Sequence, residues 1–117
     1  MNEELKSILG DSIKVGSENV PVSHLKYTGK SKRFVTWTIL PERASLFGDD
    51  EPLCSVAEVD IDVFSDSNYL DIMKEIKKVM KDNGWMWSED SEEMYEEDTK
   101  LYHRTITYQK ERMIIDG

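Results

Sequence analysis

The sequence predicts an α+β fold: a mostly antiparallel sheet of about five strands, one long helix packed on one face, and a short N-terminal helix. Residues 54–64 alternate between apolar and acidic side chains, as in a strand with one buried face. Residues 69–83 place apolar side chains three and four positions apart, as in an amphipathic helix. Strand-like segments flank both, which predicts the order α-β-β-β-α-β-β. The length of 117 residues predicts a single domain, residues 1–117.

The first element is predicted to be a short helix. Asn2 is a suitable N-cap, and Leu5, Ile8 and Leu9 follow at helical spacing before Gly10, which can end the helix. A helix this short is marginal alone, so we expect it to dock on the core.

The next segments predict a β-hairpin. Residues 11–19 are rich in serine and glycine and indicate a loop, whereas residues 22–27 and 33–40 have strand character. Residues 27–32 between these strands have turn composition, with a glycine that tolerates positive φ.

Residues 41–52 are predicted to form a loop of unusual length, and such loops are often functional. Leu46 and Phe47 are the apolar residues inside it, so they pack on the core or contact a partner.

The C-terminal half is predicted to hold the main core elements. Strand 54–64 precedes helix 69–83, a fourth strand begins at residues 85–87, an acidic loop spans 89–98, and a fifth strand spans 101–111. The helical apolar stripe consists of Tyr69, Ile72, Met73, Ile76, Val79 and Met80.

The net charge of −9 argues against tight binding to duplex DNA or to an anionic membrane. The charge is uneven: residues 1–41 carry six bases and four acids, whereas residues 42–100 carry six bases and eighteen acids.

Cys54 is the only cysteine, which excludes an intrachain disulfide and fits a reducing compartment. We expect a soluble cytosolic protein, because the N-terminus lacks signal-peptide character and no apolar run reaches about 20 residues.

Two patterns suggest ligand binding only weakly. Residues 29–31 (GKS) resemble the end of a phosphate-binding loop, but the preceding glycine is missing and strands lie on both sides. The acidic run 89–98 lacks the ligand spacing of a calcium loop and favours a solvated segment.

The acidic row of residues 54–64 could hold Mg²⁺ for hydrolysis, although a solvent-facing strand explains it better. His24 and His103 are the only histidines, and neither has a clear cysteine or carboxylate constellation in the sequence. We therefore predict no catalytic residue, no metal and no cofactor.

Several stretches resemble small tail-completion proteins of long-tailed phages and prophages, and together they cover residues 20–108. The stretches are 21–30 (PVSHLKYTGK), 34–37 (FVTW), 42–43 (ER), 49–51 (DDE), 59–64 (VDIDVF), 83–85 (NGW) and 95–103 (YEEDTKLYH).

The resemblance is to the tail terminator group. It implies a small α/β subunit that forms a ring, typically a hexamer, on the end of the tail tube. It further implies that the ring ends tube growth and joins the tail to the head connector. The implied partners are like copies, the major tail tube protein and the head–tail connector protein. The implied location is the host cytoplasm during assembly and then the head-proximal end of the virion tail.

This interpretation suggests two sets of contact residues. A ring through which DNA passes should not hold DNA tightly, so we expect Glu58, Asp60 and Asp62 to form an acidic lumen. A basic first hairpin against an acidic middle could set subunit register. The expected subunit or tube interface comprises Lys30, Arg33, Glu42, Arg43, Phe47, Asp49 and Asp50.

Three alternatives remain open from the sequence. The chain could be another head–tail connector or tail-assembly component, or an acidic inhibitor that mimics nucleic acid. An enzyme is the third, and it would require metal-dependent hydrolysis at the acidic row.

Overall fold

The computed structural model describes residues 2–48 and 51–113, which form an α+β fold with a mixed sheet. The elements in this part are α1 (Asn2–Leu9), β1 (Ser12–Val15), β2 (Glu18–His24), β3 (Arg33–Gly48), β4 (Glu51–Ser65), α2 (Leu70–Asp82), β5 (Met86–Asp90), β6 (Met94–Glu96) and β7 (Leu101–Met113).

The strand order is β1-β2-β3-β4-β7-β5, and β6 also pairs with β7. The predicted α+β class is confirmed. The sheet is larger than the predicted five strands, because the described residues form seven strands. All pairs are antiparallel except β2 with β3.

The predicted hairpin between residues 22–27 and 33–40 is wrong. Strands β2 and β3 run parallel, with Val22 opposite Val35 and His24 opposite Trp37. Residues 25–32 connect the C-terminal end of β2 to the N-terminal end of β3, which lies at the opposite end of the pair. Turn composition alone does not distinguish this parallel connection from the tight turn of a hairpin.

A hairpin does occur at residues 12–21, which overlap the segment 11–19 that was predicted to be a loop. Strand β1 pairs with β2 so that Ile13 faces Val20, and Gly16, with φ of 65°, is the first of the two turn residues. Positive φ at that position suits a two-residue hairpin turn. The pattern missed β1 because the strand has four residues and only Ile13 is buried.

The long amphipathic helix and the short N-terminal helix are confirmed. In α2 the buried side chains are Ile72, Met73, Ile76 and Met80. Both helices lie on one face of the sheet, where they join the apolar residues of β3, β4 and β7 in one core. The other face of the sheet is not covered by a described helix.

The predicted loop 41–52 is wrong, because β3 continues to Gly48 and pairs with β4 from Glu51 onward. The register shifts between Leu40 and Arg43, and such a bulge accommodates Pro41 inside a strand. Strand β4 alone has 15 residues, which at about 3.4 Å each reach about 50 Å. The longest dimension of the chain is 51 Å, so the far ends of three strands form an arm that extends the sheet. The arm consists of residues 43–48 of β3, 51–56 of β4 and 111–113 of β7.

We expect the core face of α2 to dominate stability. Replacing Ile76, which is fully buried, by alanine should lower the free energy of unfolding by about 2–5 kcal/mol. Leu70 on the same helix is 59% exposed, so Leu70→Ala is a matched control with an expected change of about 0.5 kcal/mol or less. Equal losses in chemical denaturation would contradict this packing.

Candidate functional site

The uncovered face of the sheet carries the acidic row predicted for the lumen. Glu58, Asp60 and Asp62 all point to this face and are partly exposed. Their neighbours Ala57, Val59, Ile61 and Val63 are fully buried on the core face. The predicted alternation of β4 is therefore confirmed, and the three carboxylates share one surface.

Each carboxylate accepts a cross-strand hydrogen bond from a side chain of the neighbouring strand β7. Thr107 Oγ1 donates to Asp60 Oδ1 at 2.7 Å, and Gln109 Nε2 donates to Glu58 Oε2 at 3.1 Å. These cross-strand bonds hold the carboxylates flat along the sheet. In the described part of the chain, no three His, Cys, Asp or Glu side chains are placed to share a metal ion.

Asp62 has the strongest set of contacts in the row. Its Oδ1 accepts a hydrogen bond from Thr105 Oγ1 at 2.6 Å and lies 2.9 Å from His103 Nε2. Partial burial acts to raise the pKa of Asp62, but the hydrogen bonds and the charge of His103 outweigh it and lower the pKa below the usual carboxyl value.

A row of stacked rings continues the uncovered face beyond Asp62. Successive centroid distances along Tyr27, Phe34, Phe64 and His103 are 4.4, 4.6 and 4.2 Å. This row was not among the predicted site residues. Phe64 lies two residues after Asp62 and therefore on the same face of β4, and Phe34 is its partner on β3. The alternation along β4 is the signal that could have located Phe64.

Arg33, predicted to lie at an interface, is engaged within its own chain. Its guanidinium donates to Glu18 Oε2 at 3.1 Å, to the carbonyl of Asn68 at 2.8 Å and to Asp71 Oδ2 at 2.8 Å. A further bond reaches Ser67 Oγ at 3.2 Å. Only 16% of the side chain is exposed. Because its bonds reach Glu18 and Asp71, Arg33 connects β2 and the start of α2 to β3.

The remaining predicted interface residues are spread along the molecule. Lys30 is exposed and lines a groove with Asp98. Glu42 is exposed at the base of the arm and accepts a hydrogen bond from Ser55 Oγ at 2.8 Å. Arg43 and Phe47 belong to the β3 part of the arm, with only their backbone described, whereas Asp49 and Asp50 lie outside the described residues.

A second surface, which sequence analysis missed, lies at the edge strand β5. Met86 is 71% exposed and Trp87 is 53% exposed. Trp87 Nε1 donates to Asp90 Oδ1, and Lys77 Nζ donates to Asp90 Oδ2, both at 2.9 Å. The apolar run at residues 85–87, directly after the helix end, was the available signal.

Asp90 is the charged centre of this edge. Partial burial acts to raise its pKa, but the bonds from Lys77 and Trp87 and the charges of Lys77 and Arg104 outweigh it, so the pKa of Asp90 is lowered. Burial first, and the Asp90 charge second, raise the pKa of Tyr108 far above its usual value.

Comparison of the chain with known protein families and with curated proteins finds no match. In the described residues, no helix is long and apolar enough to cross a membrane.

We expect Asp62 to contribute to the acid sensitivity of the fold. Because its folded pKa lies below the usual carboxyl value, its stabilisation is present above about pH 4 and is lost as the pH falls through the folded pKa. Asp62→Asn should therefore flatten the fall in unfolding free energy between about pH 5 and 2. Asp66→Asn, at an exposed loop position, is the matched control. An unchanged slope in Asp62→Asn would refute this role.

We expect Arg33 to be a structural residue. Arg33→Ala should lower the free energy of unfolding by about 1–3 kcal/mol, because it removes four hydrogen bonds to three segments. Arg33→Lys should restore only part of the loss, since an ammonium cannot reproduce the guanidinium geometry. Lys30→Ala serves as the exposed control, with an expected change within about 0.5 kcal/mol. A neutral Arg33→Ala in urea denaturation would contradict the assignment.

Proposed function

We propose that this chain is a structural subunit that caps the end of a phage tail tube as a ring, ends tube growth and joins the tail to the head connector. In this role it binds like copies, the tail tube protein and a head–tail connector protein, and it catalyses no reaction. The ring is typically a hexamer in the group that the sequence resembles.

One observation carries the proposal: no described helix covers the face of the sheet that carries the acidic row, and the carboxylates of that row are bonded to β7 side chains. Glu58 and Asp60 bond to β7 side chains, so they do not converge on a substrate pocket. Such a surface suits contact with a partner or with water-filled space more than chemistry. The resemblance over residues 20–108 supplies the specific assignment to a tail terminator.

The charge of this face fits the lumen of a ring. A channel that conducts DNA without retaining it should present negative charge, because phosphate contacts to lysine and arginine dominate DNA affinity. Glu58, Asp60 and Asp62 supply three carboxylates on that face, next to the stacked rings. We propose that this face lines the lumen.

The arm suits contact with a neighbouring subunit or the tube. It extends the sheet so that the long dimension of the chain is 51 Å. The radius of gyration of 15.8 Å exceeds the value of about 13 Å expected for a compact domain of this length. Extended arms of this kind add contact area without enlarging the core.

The direct test adds the purified protein to assembled tail tubes and images them by electron microscopy. We expect rings at one end of each tube and tube lengths that stop increasing. An unrelated acidic protein of the same net charge is the control. Tubes that remain uncapped and continue to grow would exclude the tail-terminator function, and competition with DNA for a host enzyme would favour the acidic inhibitor instead.

A further inference from the structure

One edge of the sheet gathers most of the large apolar side chains that are exposed among the described residues. Strands β5 and β6 both pair with β7, on the side away from β4, so residues 86–96 form one continuous edge, here called the β5–β6 edge. Seven large apolar side chains are strongly exposed in the described part of the chain. Five of them lie on or beside this edge: Met86, Trp87, Met94, Tyr95 and Tyr102.

The opposite edge of the sheet is different. Strand β1 exposes Ser12 and Lys14 and buries Ile13, so it offers no comparable apolar surface. An uncovered edge with clustered aromatic side chains is a typical protein-contact surface.

The two ends of the β5–β6 edge have opposite charge. At the β5 end, Lys77 and Lys81 of α2 flank Met86 and Trp87. At the β6 end, residues 92–98 carry five exposed acids, which are Glu92, Glu93, Glu96, Glu97 and Asp98. The β7 residues that pair with this edge run from Gln109 to Leu101, so the ends are about 27 Å apart.

A cleft lies at the basic end. It has a volume of about 420 Å³ and is lined by Trp85, Met86, Trp87 and Tyr108 together with the two lysines. Trp85 Nε1 and Tyr108 Oη are buried, and neither has a hydrogen-bond partner among the described residues. Both atoms lie beneath the lining, so an occupant of the cleft meets the apolar side chains and the two lysines.

We propose that the β5–β6 edge docks on the same edge of a second copy of this chain, related by a twofold axis. A twofold axis reverses the direction of the edge, so the basic end of each copy meets the acidic end of the other. The exposed aromatic residues of both copies become covered, and carboxylates of the acidic end lie opposite the lysines of the basic end.

The contact is made mainly by side chains. The register between Trp87 and Glu89 shifts at a bulge, which interrupts the row of backbone groups that a continuous intermolecular sheet would need. The pairing goes beyond the proposed ring, because a twofold contact closes on itself and gives a dimer of the protein in the absence of tail tubes.

The test is the mass of the protein in solution, measured by sedimentation at increasing concentration. We expect a species of twice 13.6 kDa, whose dissociation constant rises with salt concentration. A monomer at all concentrations up to the millimolar range would overturn the proposal.

Charge reversal identifies the surface. Lys77 is bonded to Asp90, so the basic end is reversed at two exposed lysines, Lys81 and Lys74, the second of which lies beside Lys77 in the adjoining groove. These changes are Lys74→Glu with Lys81→Glu, and Glu92→Lys with Glu97→Lys reverses the exposed acidic end. Each double variant alone should dimerise at least tenfold more weakly, because like charges then meet. An equimolar mixture of the two should recover a heterodimer, since a twofold axis pairs each reversed end with its complement.

The matched control is Lys6→Glu with Lys14→Glu, both exposed, with Lys6 on α1 and Lys14 on β1 at the opposite edge of the sheet. Each reversal changes the charge by two, so this variant and the basic-end variant both go from −9 to −13. The control should keep the wild-type dimer, with folding of every variant verified by circular dichroism. A dimer weakened equally by the control, or a mixture that fails to recover, would overturn the twofold arrangement.

Discussion

The alternation of side chains along β4 organises the molecule. On one face, Val59, Ile61 and Val63 are fully buried under the helices, and on the other, Asp60 and Asp62 bond to side chains of β7. A shift of register by one residue would bury the carboxylates and expose the apolar row, which makes this pairing strongly specified. Because β3 and β7 flank β4 throughout its covered part, the same alternation fixes which of their residues face the core and which face outward.

As a consequence, the described helices cover only one face of the sheet. The core lies between the helices and one face of the sheet, so the polar face, the arm and the β5–β6 edge remain as contact surfaces. The carboxylates on the polar face take part in cross-strand bonds, and at the edge Trp87 donates a hydrogen bond to Asp90. These features favour assembly with partners, which is the common element of the proposed ring and the proposed dimer.

The elements that the sequence predicted well are those with long periodic patterns. Helix α2 and strand β4 were located because their apolar side chains repeat over about four turns and eleven residues, respectively. The parallel pairing of β2 with β3 could not be predicted, because local composition does not encode which strands become neighbours. Pro41 indicated a loop, but a bulge incorporated it into β3.

The candidate surfaces were predictable only in part. The row of Glu58, Asp60 and Asp62 followed from strand periodicity, whereas the intrachain role of Arg33 depends on Glu18 and Asp71, which are distant in sequence. The β5–β6 edge became visible only once β7 was known to pair with both strands.

The central claim is that this chain acts through contact surfaces on its sheet. Hydrogen exchange of backbone amides, compared between the free protein and the protein in its assembled particle, tests it most directly. On assembly we expect additional protection of backbone amides in the arm or in the strands β3, β4 and β7 that form the polar face. The amides at the centre of β4 should exchange slowly in both states. Identical exchange throughout the chain in the two states would contradict it.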